Sequence, residues 1–200
     1  MTRKSFGFAM ASGTALVALA AMGTMAEGPA MHAVGTPVTK AIAVLHTTSK
    51  GDKTHGKITF TQTPKGVVVE GTIEGLTPGL HGFHVHEFGD VSSDDGMSTG
   101  GHFNPTNMPH AGPSAGMRHV GDLGNIEADA KGVAKIHIVD TALSFSGASS
   151  IVGRGLVVHA KADDLKSDPA GAAGDRIACG VVGVAKAAGM MSGTAPAKKK

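Results

Sequence analysis

Residues 82–88, GFHVHEF, combine the pattern of a β-strand with a closely spaced pair of imidazoles. Apolar Phe83 and Val85 alternate with His84 and His86, and a period of two predicts a strand. Side chains two apart on a strand face the same way, with Cα atoms about 6–7 Å apart, so the two histidines could reach one metal ion. The alternative is a pair of solvent-facing histidines on an edge strand.

Similar short strands are predicted on both sides of this stretch. Segments rich in β-branched residues are bounded by Gly, Pro or Lys-Gly turns, which is typical of strands. They are 41–47, 57–62, 67–73, 125–129, 133–140, 155–160 and 177–185. About eight strands in a chain with 30 Gly, no Trp and no Tyr predict an all-β antiparallel barrel or sandwich.

Two long loops interrupt the predicted strands. The first spans 89–121, is rich in Gly, Ser and Asp, and shows no periodicity. The second spans 161–176 and is rich in Gly, Asp and Lys. Long loops without secondary structure are unusual in a compact domain unless they are functional, so we expect the functional residues in or beside these two segments.

The first loop carries a second group of metal-binding side-chain types. His102, His110 and His119 lie in it, and Asp122 follows directly. Three imidazoles and one carboxylate form a suitable tetrahedral zinc set, while copper favours several imidazoles in a roughly square arrangement. His159, at the end of a strand, could reach the same cavity. The alternative is that a glycine-rich exposed loop carries these polar residues without binding metal.

The first 26 residues have the pattern of an export signal. Arg3 and Lys4 precede an uncharged apolar run over 6–23, and Thr-Met-Ala follows as a cleavage site. The pattern predicts a secretory signal peptide over 1–26, and hence a periplasmic or extracellular protein. A retained membrane anchor is the alternative interpretation of the apolar run.

The rest of the chain divides into a linker over 27–36, one folded domain over 37–187, and a disordered tail over 188–200. The full chain has 18 basic and 16 acidic residues. Cleavage after residue 26 would remove two bases and no acid, which leaves equal numbers. Balanced charge without an aromatic platform is atypical of a nucleic-acid-binding protein. After cleavage we expect no stable insertion into a membrane.

Five motifs, in chain order, carry a specific family resemblance. They are GLHGFHVHEFGD (79–90), GGHFNP (100–105), RHVGDLGN (118–125), GRGLVVHAKADDL (153–165) and RIACGVVGVA (176–185). From about Thr39 to Lys186 the chain resembles the copper/zinc superoxide dismutase family. The resemblance implies an eight-stranded Greek-key β-barrel, copper and zinc as cofactors, and superoxide as the substrate, which is converted to dioxygen and hydrogen peroxide.

The resemblance also implies which residues bind each metal. The implied copper ligands are His84, His86, His102 and His159. The implied zinc ligands are His102, His110, His119 and Asp122. His102 would therefore bridge the two metals through its two ring nitrogens, and would have a catalytic role.

Four further positions match family positions outside the ligand set. Asp163 matches a carboxylate that links a copper histidine to a zinc histidine and fixes both rings. Arg176 matches an arginine beside the open face of the copper, where its charge suits a small anion; an ordinary salt bridge to a loop aspartate is the alternative. His81 and Asn125 match structural hydrogen-bonding positions.

The chain departs from the family pattern at one disulfide. The family usually ties its first long loop to the barrel by such a bond, and Cys179 matches one half of it. Segment 91–101 holds no cysteine, and Gly96 or Met97 stands near the expected place. We therefore predict that folding depends strongly on metal. The oligomeric state stays open between a monomer and a homodimer.

Two other functional classes are alternatives. An exported copper or zinc buffer would bind the metals with the same ligands but without turnover. A metallochaperone-like domain would keep the fold for docking, but it would be expected to lose copper ligands, and all four are present here. The complete bridging set and Arg176 favour the enzyme, because a buffer needs neither.

Overall fold

The computed structural model describes residues 37–186. Nine strands and one short 3-10 turn occur in this range. They are β1 (Lys40–Thr47), β2 (His55–Thr63), β3 (Gly66–Glu74), β4 (Gly79–His86), the turn Met97–Thr99, β5 (Asp122–Ala128), β6 (Ala134–Asp140), β7 (Gly155–His159), β8 (Arg176–Val181) and β9 (Gly183–Val184). The predicted signal peptide (1–26), linker (27–36) and tail (188–200) lie outside the described residues.

Eight strands close into an antiparallel barrel. The order is β2-β3-β6-β5-β4-β7-β8-β1, and β1 also pairs with β2, which closes the ring. The pairings of β3 with β6 and of β4 with β7 join strands that are not consecutive in the chain, as in a Greek key. The predicted fold class, an eight-stranded antiparallel barrel with two long loops, is confirmed. Among the described residues, no helix has the length and apolar character needed to cross a bilayer.

Alternating apolar side chains fill the barrel interior. In β1, Ala41, Ala43 and Leu45 are buried while their neighbours are partly or fully exposed. Facing them, Ile58 and Phe60 of β2 are fully buried. Burying a side chain of this size contributes roughly 1.5–3 kcal/mol. This core makes the barrel a rigid support for the loops.

The structure differs from the sequence prediction at the end of β4. The predicted strand continued to residue 88, but β4 ends at His86. The backbone amides of Glu87 and Phe88 donate instead to the carbonyls of Gly101 and Thr99 in the first loop. The chain leaves the barrel at the point where the first loop is anchored beside it.

A third long connection, residues 141–154, was not among the long loops predicted from the sequence. It joins β6 to β7 and has no regular secondary structure. Leu143, Phe145 and Ile151 from this connection are buried in the main core. These three side chains therefore belong to the packing of the barrel, while residues 146–148 of the same segment are exposed.

Candidate metal centre

Four of the predicted histidines converge on one buried cluster. They are His84 and His86 of β4, His102 of the first loop, and His159 at the end of β7. One ring nitrogen from each lies within 4.8 Å of the others, and all four residues are buried. The fold brings them together because β4 pairs with β7 and His86 forms an isolated bridge with His102.

A second buried cluster contains His102 again, together with His110, His119 and Asp122. One carboxylate oxygen, Oδ1 of Asp122, lies 2.8 Å from Nδ1 of His102. The same oxygen lies 3.1 Å from Nδ1 of His110 and 3.1 Å from Nδ1 of His119. Three imidazole nitrogens thus gather around one carboxylate, and the donor set matches the one that zinc prefers.

Asp163 joins the two clusters from outside. Its Oδ2 accepts a hydrogen bond from Nε2 of His84 at 2.8 Å, and its Oδ1 accepts one from Nε2 of His110 at 2.9 Å. Gly171 packs against it in the left-handed region, at φ 61°, where an added Cβ would lie 1.8 Å from Oδ1 of Asp163. The second loop therefore needs glycine at 171 to place this carboxylate between the two rings.

The hydrogen bonds decide which ring nitrogens remain for a metal. Nε2 of His84 is bound to Asp163, which leaves Nδ1, and Nδ1 of His102 faces Asp122, which leaves Nε2. Within residues 37–186, these two atoms are the buried side-chain polar atoms that have no hydrogen-bond partner. An unpartnered buried polar atom costs about 1–3 kcal/mol. A metal ion bound by both nitrogens would remove this cost, so the residues present fit the metal that the sequence implies.

The other two histidines of the first cluster are oriented by backbone carbonyls. Nδ1 of His86 donates to the carbonyl of Gly100 at 2.9 Å, and Nδ1 of His159 donates to that of Gly174 at 3.0 Å. Their Nε2 atoms lie 3.3 Å apart. Both rings therefore present Nε2 as the unprotonated, ligating nitrogen.

Burial keeps these imidazoles neutral. Burial lowers the pKa of His84 to about 4, although the hydrogen bond to Asp163 opposes this shift. Burial and the neighbouring His84 lower the pKa of His159 to about 3, and burial holds the pKa of His86 well below its ordinary value. A neutral imidazole is the form that binds a metal ion, so the cluster is preorganised for binding at neutral pH.

Asp163 and His110 are coupled electrostatically. Burial would raise the pKa of Asp163, but the hydrogen bonds from His84, from the backbone amide of Leu165 and from His110 together lower it. Burial likewise would lower the pKa of His110, yet the bond to Asp163 and the charge of Asp122 raise it. The carboxylate of Asp163 is thus ionised and holds both rings by charge-assisted hydrogen bonds.

Arg176 lies at the mouth of the first cluster. A pocket of about 300 Å³ is lined by Arg176, His86, His102 and His159. The guanidinium donates to the carbonyls of Gly96 and Gly100 and to the hydroxyl of Thr99, at 2.8, 2.7 and 2.9 Å. Its side-chain hydrogen bonds thus go to the first loop without an aspartate partner, contrary to the salt-bridge alternative. Burial lowers its pKa, but an arginine stays charged.

His81 bonds to the end of β7, and Asn125 holds the start of the second loop to the barrel. Nδ1 of His81 lies 2.8 Å from the carbonyl of His159. The side chain of Asn125 donates to the carbonyl of Asp163 and accepts from its amide, at 2.9 and 2.7 Å. These contacts are of the kind expected for the structural hydrogen-bonding positions that the resemblance implied for both residues.

Cys179 is a buried free thiol in β8. Burial raises its pKa, which makes it unreactive. It lines a surface pocket of about 560 Å³ with Val91, Ser93 and Asp94 of the first loop. Gly96, near the expected cysteine position, instead contributes its carbonyl to Arg176. The first loop is therefore attached to β8 by hydrogen bonds.

Sequence reasoning missed two residues beside the clusters. Arg118 donates to the carbonyls of His119, Val120 and Asp122 and pairs with buried Asp140. Arg118 begins the motif RHVGDLGN, and its place beside His119 was the signal in the sequence that it could support the zinc-type cluster. Thr99 is fully buried and contacts Arg176, and no local pattern in the sequence marks it.

Comparison with known proteins gives the class of this site. The model of the copper/zinc superoxide dismutase (SODC) family matches residues 54–182. The chain is 49% identical over 158 residues to the extracellular superoxide dismutase (Cu-Zn) of Brugia pahangi, covering 74% of this chain and 78% of that relative. It is 48% identical over 160 residues to the superoxide dismutase (Cu-Zn) of Onchocerca volvulus, covering 74% and 98%.

A solved structure agrees with these relatives. The crystal structure of the clock protein EA4 has a TM-score of 0.71 and 48% identity to this chain, and the match covers 78% of this chain and 100% of the other. The chain therefore belongs to the copper/zinc superoxide dismutase family. The predicted family, its oxidoreductase class and its cofactors, copper and zinc, are confirmed.

Proposed function

We propose that this chain converts superoxide to dioxygen and hydrogen peroxide by copper redox cycling, with His102 shared between copper and zinc. The observation that carries this proposal is that two buried ligand clusters have His102 in common. Nδ1 of His102 faces Asp122 in one cluster, and its buried Nε2 has no hydrogen-bond partner. An imidazole with one nitrogen in each cluster is suited to join two cations.

The two clusters would divide the metals between them. The copper ligands would be His84, His86, His102 and His159. The zinc ligands would be His102, His110, His119 and Asp122. When bound, copper supplies one-electron redox chemistry, whereas zinc has no redox chemistry and supplies a fixed charge.

His102 would also hold a proton for the reaction. Forming hydrogen peroxide from superoxide consumes two protons, and Nε2 of His102 could carry one of them while it is not bound to copper, with Nδ1 keeping the ring oriented toward Asp122. The ring is buried, so the proton would be held at a fixed position facing the pocket. A positioned proton donor of this kind contributes about 10²–10⁴-fold to a rate.

Arg176 would attract superoxide and orient it in the pocket. The guanidinium carries a permanent charge and lines the same pocket as three of the copper histidines. Lys50 adds a second positive charge to the lining, whereas Asp95 and Asp175 add negative charges. We therefore expect the attraction of the anion to depend on Arg176 itself rather than on the net charge of the pocket lining.

Asp163 would keep the two ligand sets aligned. Its two oxygens hold His84 and His110, one ring from each cluster. A carboxylate that fixes two ligand rings typically affects metal affinity by 10–100-fold. Asp163 would thus act through these histidines rather than by contact with superoxide.

We also infer that the chain is exported to the periplasm or the extracellular space. The charged head, apolar run and small-residue site over 1–26 support this inference, as does the relative from Brugia pahangi that is named extracellular. Sequencing the amino terminus of the mature protein tests it. A mature chain that begins near Glu27 would support export, whereas an intact Met1 on the secreted or periplasmic fraction would contradict signal cleavage.

Metal analysis and a dismutation assay on the same purified sample test the catalytic proposal. We expect one copper and one zinc per chain together with fast turnover. The variant His86→Gln should lose copper and activity, and His137→Gln, at an exposed position paired with Glu70, should lose neither. Bound copper without turnover would instead indicate an exported metal buffer.

A further inference from the structure

We propose that the hydroxyl of Thr99 is a positioning group, which fixes the guanidinium of Arg176 at the pocket mouth and links it to the ring of His86. The inference rests on the proposed function for its catalytic meaning, because it concerns how the anion-binding residue of that site is held. Thr99 ends the 3-10 turn of the first loop, and its side chain is fully buried.

The Thr99 hydroxyl has three polar neighbours. Its Oγ1 lies 2.9 Å from Nη1 of Arg176, 2.8 Å from the carbonyl oxygen of Gly96 and 3.3 Å from Nδ1 of His86. A buried hydroxyl with partners on three sides is held in one orientation. Thr99 therefore lies between the arginine and the histidine, in contact with both.

The direction of each hydrogen bond follows from which groups can donate. A carbonyl only accepts, so the Thr99 O–H donates to Gly96, which leaves the lone pairs of Oγ1 as acceptors. Arg176 Nη1 donates to one of them. The Nδ1–H of His86 points mainly at the carbonyl of Gly100, at 2.9 Å, and shares a longer contact with Oγ1. Each donor in this network therefore points at an acceptor, and no two donors face each other.

The link matters because hydrogen bonds attach the first loop to β8 around this point. Arg176 bonds to two loop carbonyls, those of Gly96 and Gly100, and Thr99 lies between them in the chain. Without the hydroxyl, one N–H of a half-buried guanidinium would lose its acceptor. We expect the guanidinium to shift toward another partner, and the charge at the pocket mouth would move with it.

Two substitutions separate the hydroxyl from the volume of the side chain. Thr99→Val keeps the shape and removes the hydroxyl, whereas Thr99→Ser keeps the hydroxyl and removes a methyl group. Thr54→Val is the matched control, because Thr54 is also buried and its hydroxyl donates to the carbonyl of Gly75, outside the pocket lining. If Thr99→Val does not fold, Thr99→Ala carries the same prediction.

The first measurement is the affinity of the copper- and zinc-loaded protein for azide, determined by optical titration. We expect Thr99→Val to bind azide about tenfold more weakly, as for the loss of a hydrogen bond to a charged group. Thr99→Ser and Thr54→Val should stay within about twofold of the wild type. Weak binding by Thr99→Ser with wild-type binding by Thr99→Val would show a packing role and overturn the proposal, as would equal binding by all variants.

The second measurement needs no metal and no turnover. In the metal-free protein, the side-chain N–H signals of Arg176 in ¹⁵N NMR should exchange with solvent faster in Thr99→Val than in Thr99→Ser or the wild type. Equal exchange in all three would overturn the link between Thr99 and Arg176. A wild type that fails to dismutate superoxide would contradict the proposed function, while this exchange comparison would still decide the positioning role.

Discussion

The ring of His102 lies 4.0 Å, centroid to centroid, from the ring of His84, and each ring carries one buried nitrogen without a hydrogen-bond partner. The two rings come from different parts of the chain, a barrel strand and a loop. Their other nitrogens are held by two carboxylates, those of Asp122 and Asp163. Each ring is thus oriented by a carboxylate at one nitrogen, and its other nitrogen is left for a metal.

Replacing the shared histidine tests whether the two clusters act together. We expect His102→Ala to lower the dismutation rate at least 100-fold, because it removes a copper ligand and a group that can carry a proton for the reaction. It should also weaken zinc binding, since one of four ligands is lost. The assay is dismutation rate together with zinc competition against a chelator. Near-wild-type activity would show that His102 has no bridging role.

Reversing the charge at the pocket mouth tests the role of Arg176. Arg176→Glu should lower the rate at low salt by at least tenfold, since a negative group would replace the one that attracts the anion. Azide inhibition should weaken as well. The control is Lys135→Glu, at an exposed barrel position, which makes the same change of charge away from the pocket. Equal rates for the two variants at low ionic strength would argue against a local role.

Removing the metals should destabilise this protein strongly. The first loop is attached to β8 by hydrogen bonds, and Cys179 is free, so the ligands must supply much of the attachment. We expect a chelator to lower the melting temperature by more than about 10 °C, given that about 1 kcal/mol shifts Tm by roughly 2–8 °C. A reducing agent should leave it unchanged. Similar melting of the metal-free and loaded forms would contradict this dependence.

The metal-free protein should lose stability as the pH falls below about 6.5. The pKa values of His84 and His159 in the folded state are about 4 and about 3, below the unfolded value of about 6.5. The unfolded chain therefore binds more protons in this window, and folding becomes less favourable as the pH falls. At pH 5, each of these histidines should lower the free energy of unfolding by about 2 kcal/mol relative to pH 7.

Urea unfolding of the metal-free protein at pH 7, 6 and 5 measures this effect. Asp122 and Asp163 have lowered pKa values in the fold, so the stability that they add is lost only near and below pH 4. Their contribution is therefore separate from that of the histidines. An unfolding free energy that stays constant from pH 7 to pH 5 would show that the histidines are not buried in the neutral form.

Local patterns in the chain were enough to identify most strands, because alternation depends only on neighbouring residues. In β6, which lies within the predicted segment 133–140, buried Ile136 lies between exposed Lys135 and His137. The predicted end of β4 was wrong, because Phe88 continues the alternation in the sequence but its amide donates to a carbonyl of the first loop. Likewise, Leu143 and Phe145 lack a strand pattern and are buried only because the barrel beside them accepts them.

The sequence by itself determined the ligand types and their order, since imidazoles and carboxylates are defined by residue identity and the motifs were specific enough to reveal the family. Only the tertiary structure decided which ring nitrogen faces inward, where Asp163 meets both clusters, and that Thr99 touches Arg176. These relationships join residues that are far apart in the chain, at 84 and 163 or at 99 and 176. Their distances follow from barrel closure and loop packing, and no local spacing in the sequence encodes them.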